Sequence, residues 1–229
     1  MTLILVLACH PHAPKQHRAH AARLDDGVFR VVVIGDSLAA GTGDPDGKGI
    51  PGNLEDDLRG RAPTLDVKNY GVAGNTTDDV LHRLETDDLR AGITTADAIV
   101  LSAGANNVFQ DPEARARAIR DRDVYAREIV ERVAQVVAAI RQLNPDAPIL
   151  ILGGYDPIPD NPLKRGIDRY LKRWDDLLDD RFANDPLIDI VKVSDIIDGS
   201  AKLSPIDHFH PGAAAYHDIA QRIAQMLNE

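Results

Sequence analysis

Short runs of apolar, β-branched residues alternate along this chain with stretches of helical periodicity, beginning at Phe29. Two of the runs, residues 31–34 and 148–152, are continuously apolar, which is typical of strands buried on both faces. Alternation of such strands with helices indicates βαβ units and a parallel sheet. The predicted strands are Phe29–Ile34, Leu65–Asn69, Ala98–Ser102, Ile149–Leu152 and Leu187–Val191.

The clearest predicted helix runs from Val124 to Leu143 and stops before Asn144 and Pro145. Its core-facing positions are Ile129, Val133, Val136, Val137 and Ile140. Further helices are predicted at 169–182, where the single tryptophan is expected to pack, and at 212–227. The sequence shows neither an internal repeat nor a second domain. It predicts one α/β domain over residues 28–229, a three-layer α/β/α sandwich with about five parallel strands.

Charge and composition narrow the range of partners. The chain has 229 residues and a formal net charge of −10, whereas nucleic-acid binding needs clustered Lys and Arg, so no nucleic-acid partner is expected. The same charge argues against adsorption of the folded domain to an anionic membrane. Aromatic residues make up only 4% of the chain, so the core is expected to consist mainly of Val, Ile, Leu and Ala.

The N-terminal segment carries a separate signal. Residues 1–8 are almost wholly apolar and precede Cys9, the single cysteine, so no intramolecular disulfide or thiolate metal cluster is expected. This resembles the end of a bacterial lipoprotein signal peptide. It predicts an exported cell-surface or extracellular protein, with residues 1–9 as a signal remnant and membrane anchoring through lipidated Cys9. The alternative is a cytoplasmic chain whose N-terminus is disordered or adds an edge strand.

Residues 10–27 hold four of the eight histidines and are otherwise mostly polar or small. A His-rich tract of this kind can bind metal, but it lacks acidic or cysteine partners at fixed spacing. The segment is therefore predicted to be a flexible tether outside the fold.

Candidate functional residues lie where the predicted strands end, because open parallel sheets bind ligands beyond the carboxyl ends of their strands. The first strand ends at Gly35, and Ser37 follows where a helix should begin. There its side chain is exposed at the rim, and its N–H faces bound anions because the first N–H groups of a helix are unpaired. Taken alone, this serine is more typical of a helix N-cap.

Two other strand ends carry candidate hydrogen-bond donors. Gly74, after the second strand, can bring a backbone N–H close to a substrate oxygen. Asn106, after the third strand, can offer its side-chain amide at the same rim. Taken singly, each residue is more typical of a turn.

The loop before the last helix contains a candidate acid–base pair. Asp207 and His210 are three residues apart, so the carboxylate can hold one imidazole nitrogen while the other faces outward. His208 is the competing base, although adjacent residues cannot easily make the same contact. With a serine nucleophile and two oxyanion donors, this pair completes the set of groups that acyl transfer requires.

Four segments carry these residues in order along the chain: Gly35-Asp36-Ser37-Leu38, Gly71–Thr76, Gly104-Ala105-Asn106, and Asp207-His208-Phe209-His210 followed by Pro211. In these blocks the chain resembles the SGNH hydrolases, also called GDSL esterases and lipases. The family usually has Asp where this chain has Asn107, which is a supporting position. The Gly-x-Ser-x-Gly elbow of α/β-hydrolases is absent. Within the family, the chain looks most like compact bacterial lipases and esterases, including lipoprotein forms from spore-forming bacteria.

The resemblance implies a flavodoxin-like SGNH hydrolase fold and a serine esterase or lipase that hydrolyses lipid or short-chain carboxylic esters through an acyl-enzyme. It makes Ser37 the nucleophile, with Asp207 and His210 completing the triad. The implied oxyanion hole consists of the N–H groups of Ser37 and Gly74 and the side-chain amide of Asn106. No metal or organic cofactor is expected. Thioesterase, lysophospholipase and carbohydrate O-deacetylase activities are alternatives, as is an inactive surface or binding protein.

Substrate selection is expected to depend on the loops above this site. The predicted substrate-binding residues are Val108, Phe109 and Ile158, lining an acyl channel. Residues 108–122 are predicted to form either a flap or a solvated helical connection. The expected partner is a small-molecule ester or lipid, and the sequence leaves the acyl-chain preference and the oligomeric state open.

Overall fold

The computed structural model describes residues 26–162 and 164–228. The predicted signal remnant (residues 1–9, with Cys9) and all but the last two residues of the predicted tether (10–27) lie outside the described residues. Within the described part, the chain forms one five-stranded parallel sheet with helices packed on it. The α/β/α architecture predicted from the sequence is confirmed.

Each predicted strand is present, with bounds within two residues of those expected. The strands are β1 (Val28–Gly35), β2 (Thr64–Gly71), β3 (Ala98–Ser102), β4 (Ile149–Leu152) and β5 (Ile188–Val191). All pairings are parallel, and the order in the sheet is β2-β1-β3-β4-β5. This is the flavodoxin-like strand order, in which the chain switches direction at β1.

The helices connect these strands and close the chain. They are α1 (Ser37–Ala40), α2 (Gly49–Asp57), α3 (Thr77–Arg83), α4 (Asp87–Thr95), α5 (Ala105–Phe109), α6 (Pro112–Arg120), α7 (Arg122–Leu143), α8 (Lys164–Phe182) and α9 (Ala213–Asn228), with a 3₁₀ turn at Ser200–Lys202. The three helices predicted from periodicity correspond to α7, α8 and α9. The α8 helix begins at Lys164, earlier than predicted, and its first turn carries an exposed ion pair of 2.8 Å between Lys164 and Asp168. Residues 108–122 are largely helical, in the end of α5, in α6 and at the start of α7, and whether they act as a flap stays a prediction.

Side chains of the central strands point alternately to two hydrophobic clusters, one on each face of the sheet. Val32 and Ile34 of β1 pack with α3, α4, α7 and α8. Val31 and Val33 pack with α2 and α9 on the opposite face. Trp174 lies in the first cluster, as expected for a packing residue. Within the described part of the chain, no helix is long and apolar enough to cross a membrane.

The register brings the sequence blocks side by side. Gly35, the last residue of β1, pairs with Gly71 of β2 on one side and with Ser102 of β3 on the other. The segments that follow these three residues therefore leave the sheet at the same edge. In open parallel sheets this switch point between β1 and β3 is where ligands bind.

Candidate active site

Ser37 is the first residue of α1, directly after the end of β1. Asp36 caps this helix, since its carboxylate accepts a hydrogen bond from the Leu38 N–H at 3.0 Å. The same carboxylate oxygen accepts the Ser102 hydroxyl at 2.7 Å, which ties the turn to the end of β3. The predicted nucleophile therefore lies in the first turn of a helix at the carboxyl edge of the sheet.

The backbone conformation and the burial of this turn explain why Gly35 and Asp36 precede the serine. Gly35 has a φ of 138°, and a Cβ there would lie 1.8 Å from the Ser102 carbonyl oxygen, so no side chain fits. Asp36 is only 4% exposed, and burial raises its pKa to about 6 although hydrogen bonds from Ser102 and Leu38 lower it in part. Burial disfavours the charged form of this carboxyl, while its hydrogen bonds to Leu38 and Ser102 fix the geometry of the turn.

The pair predicted from the C-terminal block is formed. His210 Nδ1 lies 2.7 Å from Asp207 Oδ2, while Asp207 Oδ1 accepts the N–H groups of Phe209 and His210, each at 3.0 Å. Burial raises the pKa of Asp207, but the hydrogen bonds from His210 and Phe209 outweigh it and the pKa falls below its ordinary value. Because an ionised carboxylate only accepts hydrogen bonds, Nδ1 is the donor in this contact, and in the neutral imidazole the lone pair lies on Nε2.

The loop that carries the pair is closed at its base. Leu203 and Pro211 form an antiparallel bridge, and the Ser204 N–H donates to the His210 carbonyl at 2.7 Å. Inside the loop, His208 has a φ of 54° and its N–H donates to the Ser204 carbonyl at 2.9 Å. The His208 side chain is exposed, and the Asp207 carboxylate binds His210.

Contacts after α1 bring the nucleophile turn and the His210 loop to the same edge. The Thr42 N–H donates to the Ser37 carbonyl at 3.0 Å, and the Thr42 carbonyl accepts the Tyr216 hydroxyl of α9 at 2.7 Å. Gly43 packs so closely on the loop that a Cβ there would lie 2.6 Å from His210 Cβ. The segment after α1 therefore contacts both the turn at Ser37 and the loop at His210.

The two predicted oxyanion segments also meet. Asn106 Nδ2 donates to the Asn75 carbonyl at 3.0 Å, and the Gln110 side-chain amide donates to the Gly74 carbonyl. Gly74 has a φ of 86°, which glycine adopts readily. A side-chain amide carries two N–H donors, so Asn106 has one donor beyond this contact. The structure thus places the Asn106 amide against the loop that holds Gly74.

The predicted substrate-binding residues lie in different surroundings. Val108 is half-buried and packs against the hydrophobic cluster beneath α7, whereas Phe109 and Ile158 are exposed. The Phe109 ring contacts the ring of Phe209, which in turn contacts the imidazole of His210. Sequence reasoning did not single out Phe209, although an aromatic residue inside the Asp-x-x-His block was a signal for it. Contact of Val108, Phe109 and Ile158 with substrate stays a prediction.

The sequence matches the model of the GDSL-like Lipase/Acylhydrolase family over residues 33–217. The chain belongs to this family. The match spans the turn at Ser37, the contact between Asn106 and the Gly74 loop, and the pair formed by Asp207 and His210. The fold and the order of the blocks in this GDSL-like hydrolase agree with the resemblance noted in the sequence.

Solved structures share the fold of this hydrolase. The lipase Lip_vut3 from a goat rumen metagenome has a TM-score of 0.69 and 16% identity, covering 86% of this chain and 97% of the lipase. Axe2, an acetylxylan esterase from Geobacillus stearothermophilus, has a TM-score of 0.61 and 19% identity, covering 88% of this chain and 94% of Axe2. At these identities the likeness shows the fold alone.

A curated relative covers nearly the whole chain. The uncharacterized protein YpmR of Bacillus subtilis (strain 168) is 27% identical over 238 residues, which is 99% of this chain and 93% of YpmR. The relationship therefore extends beyond the four sequence blocks.

The departure at Asn107 leaves the supporting contacts of the hydrolase intact. Asn107 Oδ1 accepts the Thr77 N–H at 3.0 Å, and Asn107 Nδ2 donates to the Thr77 hydroxyl at 3.0 Å. The Asn107 carbonyl also accepts the Tyr125 hydroxyl at 3.0 Å. An aspartate at this position can accept from the same N–H and the same hydroxyl, so the two residue types serve the site alike.

This edge of the sheet carries groups that are capable of nucleophilic and acid–base chemistry: a serine hydroxyl, an imidazole and amide donors. In the described part of the chain, no group of three or more His, Cys, Asp or Glu side chains could hold a metal ion. Family membership and the esterase and lipase neighbours support an ester hydrolase.

Proposed function

We propose that this GDSL-like hydrolase cleaves carboxylic esters through an acyl-enzyme, with Ser37 as nucleophile, His210 as base and acid, and Asp207 as orienting carboxylate. The observation that carries the proposal is the 2.7 Å contact between His210 Nδ1 and Asp207. It leaves Nε2 as the available base on a loop that Gly43 packs against. These are the parts of the Ser-His-Asp mechanism.

In the acylation step, Ser37 Oγ attacks the ester carbonyl and its proton passes to His210 Nε2. The carbonyl oxygen becomes an oxyanion, which accepts hydrogen bonds from the N–H groups of Ser37 and Gly74 and from the Asn106 amide. Asp207 stabilises the imidazolium that forms. The C–O bond to the alcohol then breaks, and the Nε2 proton is transferred to the leaving oxygen.

In the deacylation step, water attacks the acyl group bound to Ser37. His210 Nε2 takes one proton from the water and returns it to Ser37 Oγ as the acyl–oxygen bond breaks. The acid is released and the free enzyme is restored. Both steps use the same donors and the same base, so every atom and proton is accounted for without a further group.

The test is hydrolysis of p-nitrophenyl esters from acetate to palmitate by the wild type and by Ser37→Ala. We expect kcat to fall by at least about 10⁴-fold in the variant, because removal of a triad member leaves only binding and oxyanion stabilisation. Ser200→Ala, which changes an exposed serine in the 3₁₀ turn, is the matched control and should keep wild-type activity. A fluorophosphonate label identified on Ser37 by mass spectrometry reports the nucleophile independently of substrate.

The outcomes separate the alternatives. Labelling of Ser37 without ester turnover would keep the chemistry and move the substrate class to thioesters, lysophospholipids or O-acetylated carbohydrates, each of which is assayed in parallel. Equal turnover in wild type and Ser37→Ala would contradict the assignment of the nucleophile. Neither labelling nor turnover of any substrate would favour an inactive binding protein.

A further inference from the structure

The four phenylalanines of the chain divide into two kinds. Phe29 and Phe182 are buried, whereas Phe109 is 46% exposed and Phe209 is 37% exposed. The two exposed rings contact each other edge-to-face, with centroids 6.1 Å apart and an interplanar angle of 74°. The Phe209 ring also meets the His210 imidazole, at 5.1 Å and 75°. The three rings form a continuous row that begins at the proposed base.

The backbone at both phenylalanines is fixed by hydrogen bonds. The Phe209 N–H donates to Asp207 Oδ1 at 3.0 Å, and its carbonyl accepts the hydroxyl of Tyr155, which follows β4, at 3.3 Å. The Phe109 carbonyl accepts the guanidinium of Arg115. Because Phe109 ends the helix that carries Asn106, the row reaches from the base towards the oxyanion segment.

Exposed large hydrophobic side chains concentrate at this edge of the molecule. Among the described residues they are Val72, Phe109, Val124, Ile158, Ile206 and Phe209. All but Val124 follow the carboxyl end of a strand or lie in the loop that carries His210. Single exposed apolar residues are ordinary on a protein surface, but Phe109 and Phe209 contact each other and so form a shared apolar surface beside His210.

We propose that the Phe109–Phe209 ring pair binds a hydrocarbon chain of the ester, so that the enzyme prefers esters with an aliphatic chain to acetyl esters of polar alcohols. This inference rests on the proposed function, since the chain is placed by the reaction at Ser37 and His210. The two rings lie at 74° to each other, so together they form no single flat face on which a sugar ring could stack, whereas a flexible hydrocarbon chain can contact both. Such a surface suits hydrocarbon rather than sugar.

The experiment compares kcat/KM along two substrate series for the purified full chain. One series lengthens the acyl group of p-nitrophenyl esters from acetate to octanoate, and the other lengthens the alcohol of alkyl acetates from ethyl to octyl. Each methylene that contacts the rings should raise kcat/KM by about two- to fourfold, because burial of a methylene is favourable by a similar factor. The series that shows this dependence identifies which side of the ester lies on the rings.

Phe109→Ala should lower the ratio of kcat/KM for the long and short members of that series by about tenfold, and Phe209→Leu should lower it in the same direction. The ratio is used because a displacement of His210 would lower kcat/KM for every ester by the same factor, and a common factor drops out of the ratio. Val124→Ala removes an exposed apolar residue of α7, away from the strand ends, and should leave the ratio unchanged.

Unchanged ratios in both phenylalanine variants, with acetate still hydrolysed, would overturn the inference and leave the proposed esterase standing. Faster turnover of acetylated xylo-oligosaccharide than of any aliphatic ester, reduced in Phe109→Ala, would also overturn it in favour of a sugar. Absence of turnover and of labelling at Ser37 would remove the proposed function and this inference with it.

Discussion

Asp175 in α8 is expected to make the free energy of unfolding depend on pH. Its side chain is 4% exposed and packs against the end of β4, where a Cβ on Gly153 would lie 2.6 Å from Asp175 Oδ1. That oxygen has no hydrogen-bond partner among the described residues. Burial raises the pKa of Asp175 to about 6, and the attraction of Lys192 offsets only part of this. The ionised carboxylate is therefore less favourable in the folded chain than in the unfolded one.

The size of the effect follows from the two pKa values. With a pKa of about 6 when folded and an ordinary value of 3.8 when unfolded, Asp175 binds a proton more readily in the folded state. Its contribution to the free energy of unfolding is fully present below about pH 4 and is lost as the pH rises through 6. The loss amounts to about 3 kcal/mol.

Asp175→Asn removes the ionisation while keeping the shape of the side chain. We expect the variant to match the wild type near pH 4 and to be more stable by about 3 kcal/mol at pH 8, equivalent to about 6 to 12 °C in Tm. Urea unfolding followed by the fluorescence of Trp174, the single tryptophan and itself buried, measures this directly. Asp36 has a pKa of about 6 for the same reason, so the difference between variant and wild type, rather than either curve alone, isolates Asp175.

The neighbouring residue supplies the matched control. Asp176 pairs with Lys172 at 2.8 Å on the exposed side of the same helix, and such pairs contribute about 0 to 1 kcal/mol. Asp176→Asn should therefore shift the free energy of unfolding at pH 8 only slightly, far less than Asp175→Asn. A difference between Asp175→Asn and wild type that is constant with pH, or a variant that is less stable at pH 8, would refute the account of Asp175.

Substitutions at three further positions test the site. Gly35→Ala places a Cβ 1.8 Å from the Ser102 carbonyl and should destabilise the fold by more than about 4 kcal/mol, so a wild-type Tm in thermal unfolding would contradict the geometry of the turn. Asn106→Ala should lower kcat on p-nitrophenyl esters by roughly 10²–10³-fold with little change in Tm, and an unchanged kcat would remove Asn106 from the oxyanion hole. Asn107→Asp retains acceptors for both Thr77 groups and should stay within about threefold of wild-type kcat/KM, whereas Asn107→Ala loses both contacts and should fall below it.

The sheet could be predicted because its signal is local. A strand that is covered by helices on both faces must be apolar along its whole length. The runs at 31–34 and 149–152 have this pattern, and all of their residues are buried. The candidate site followed from the same step, since residues after parallel strands share one edge of the sheet. Position after a strand is the feature that marks Ser37, Gly74 and Asn106 as candidate site residues.

The rest depends on contacts that periodicity does not encode. Helical spacing places Asp175 on the same face of α8 as Leu171 and Leu178, but the contact of its carboxylate with the end of β4 depends on how the helix packs on the sheet. The ring of Phe209 meets His210 and Phe109 because loop 203–211 closes on itself. The positive φ of His208 belongs to the same closure. Loop conformations of this kind are set by tertiary contacts rather than by residue pattern.

The bridge between Leu203 and Pro211 makes the Asp207–His210 pair a self-contained unit. Its internal geometry comes from hydrogen bonds within its own few residues, whereas Gly43 and the Tyr155 hydroxyl set where it sits relative to Ser37. Substitutions in those neighbouring segments then act on the position of this unit relative to Ser37. Loops after the strands can therefore vary in sequence while the Asp207–His210 contact keeps its geometry.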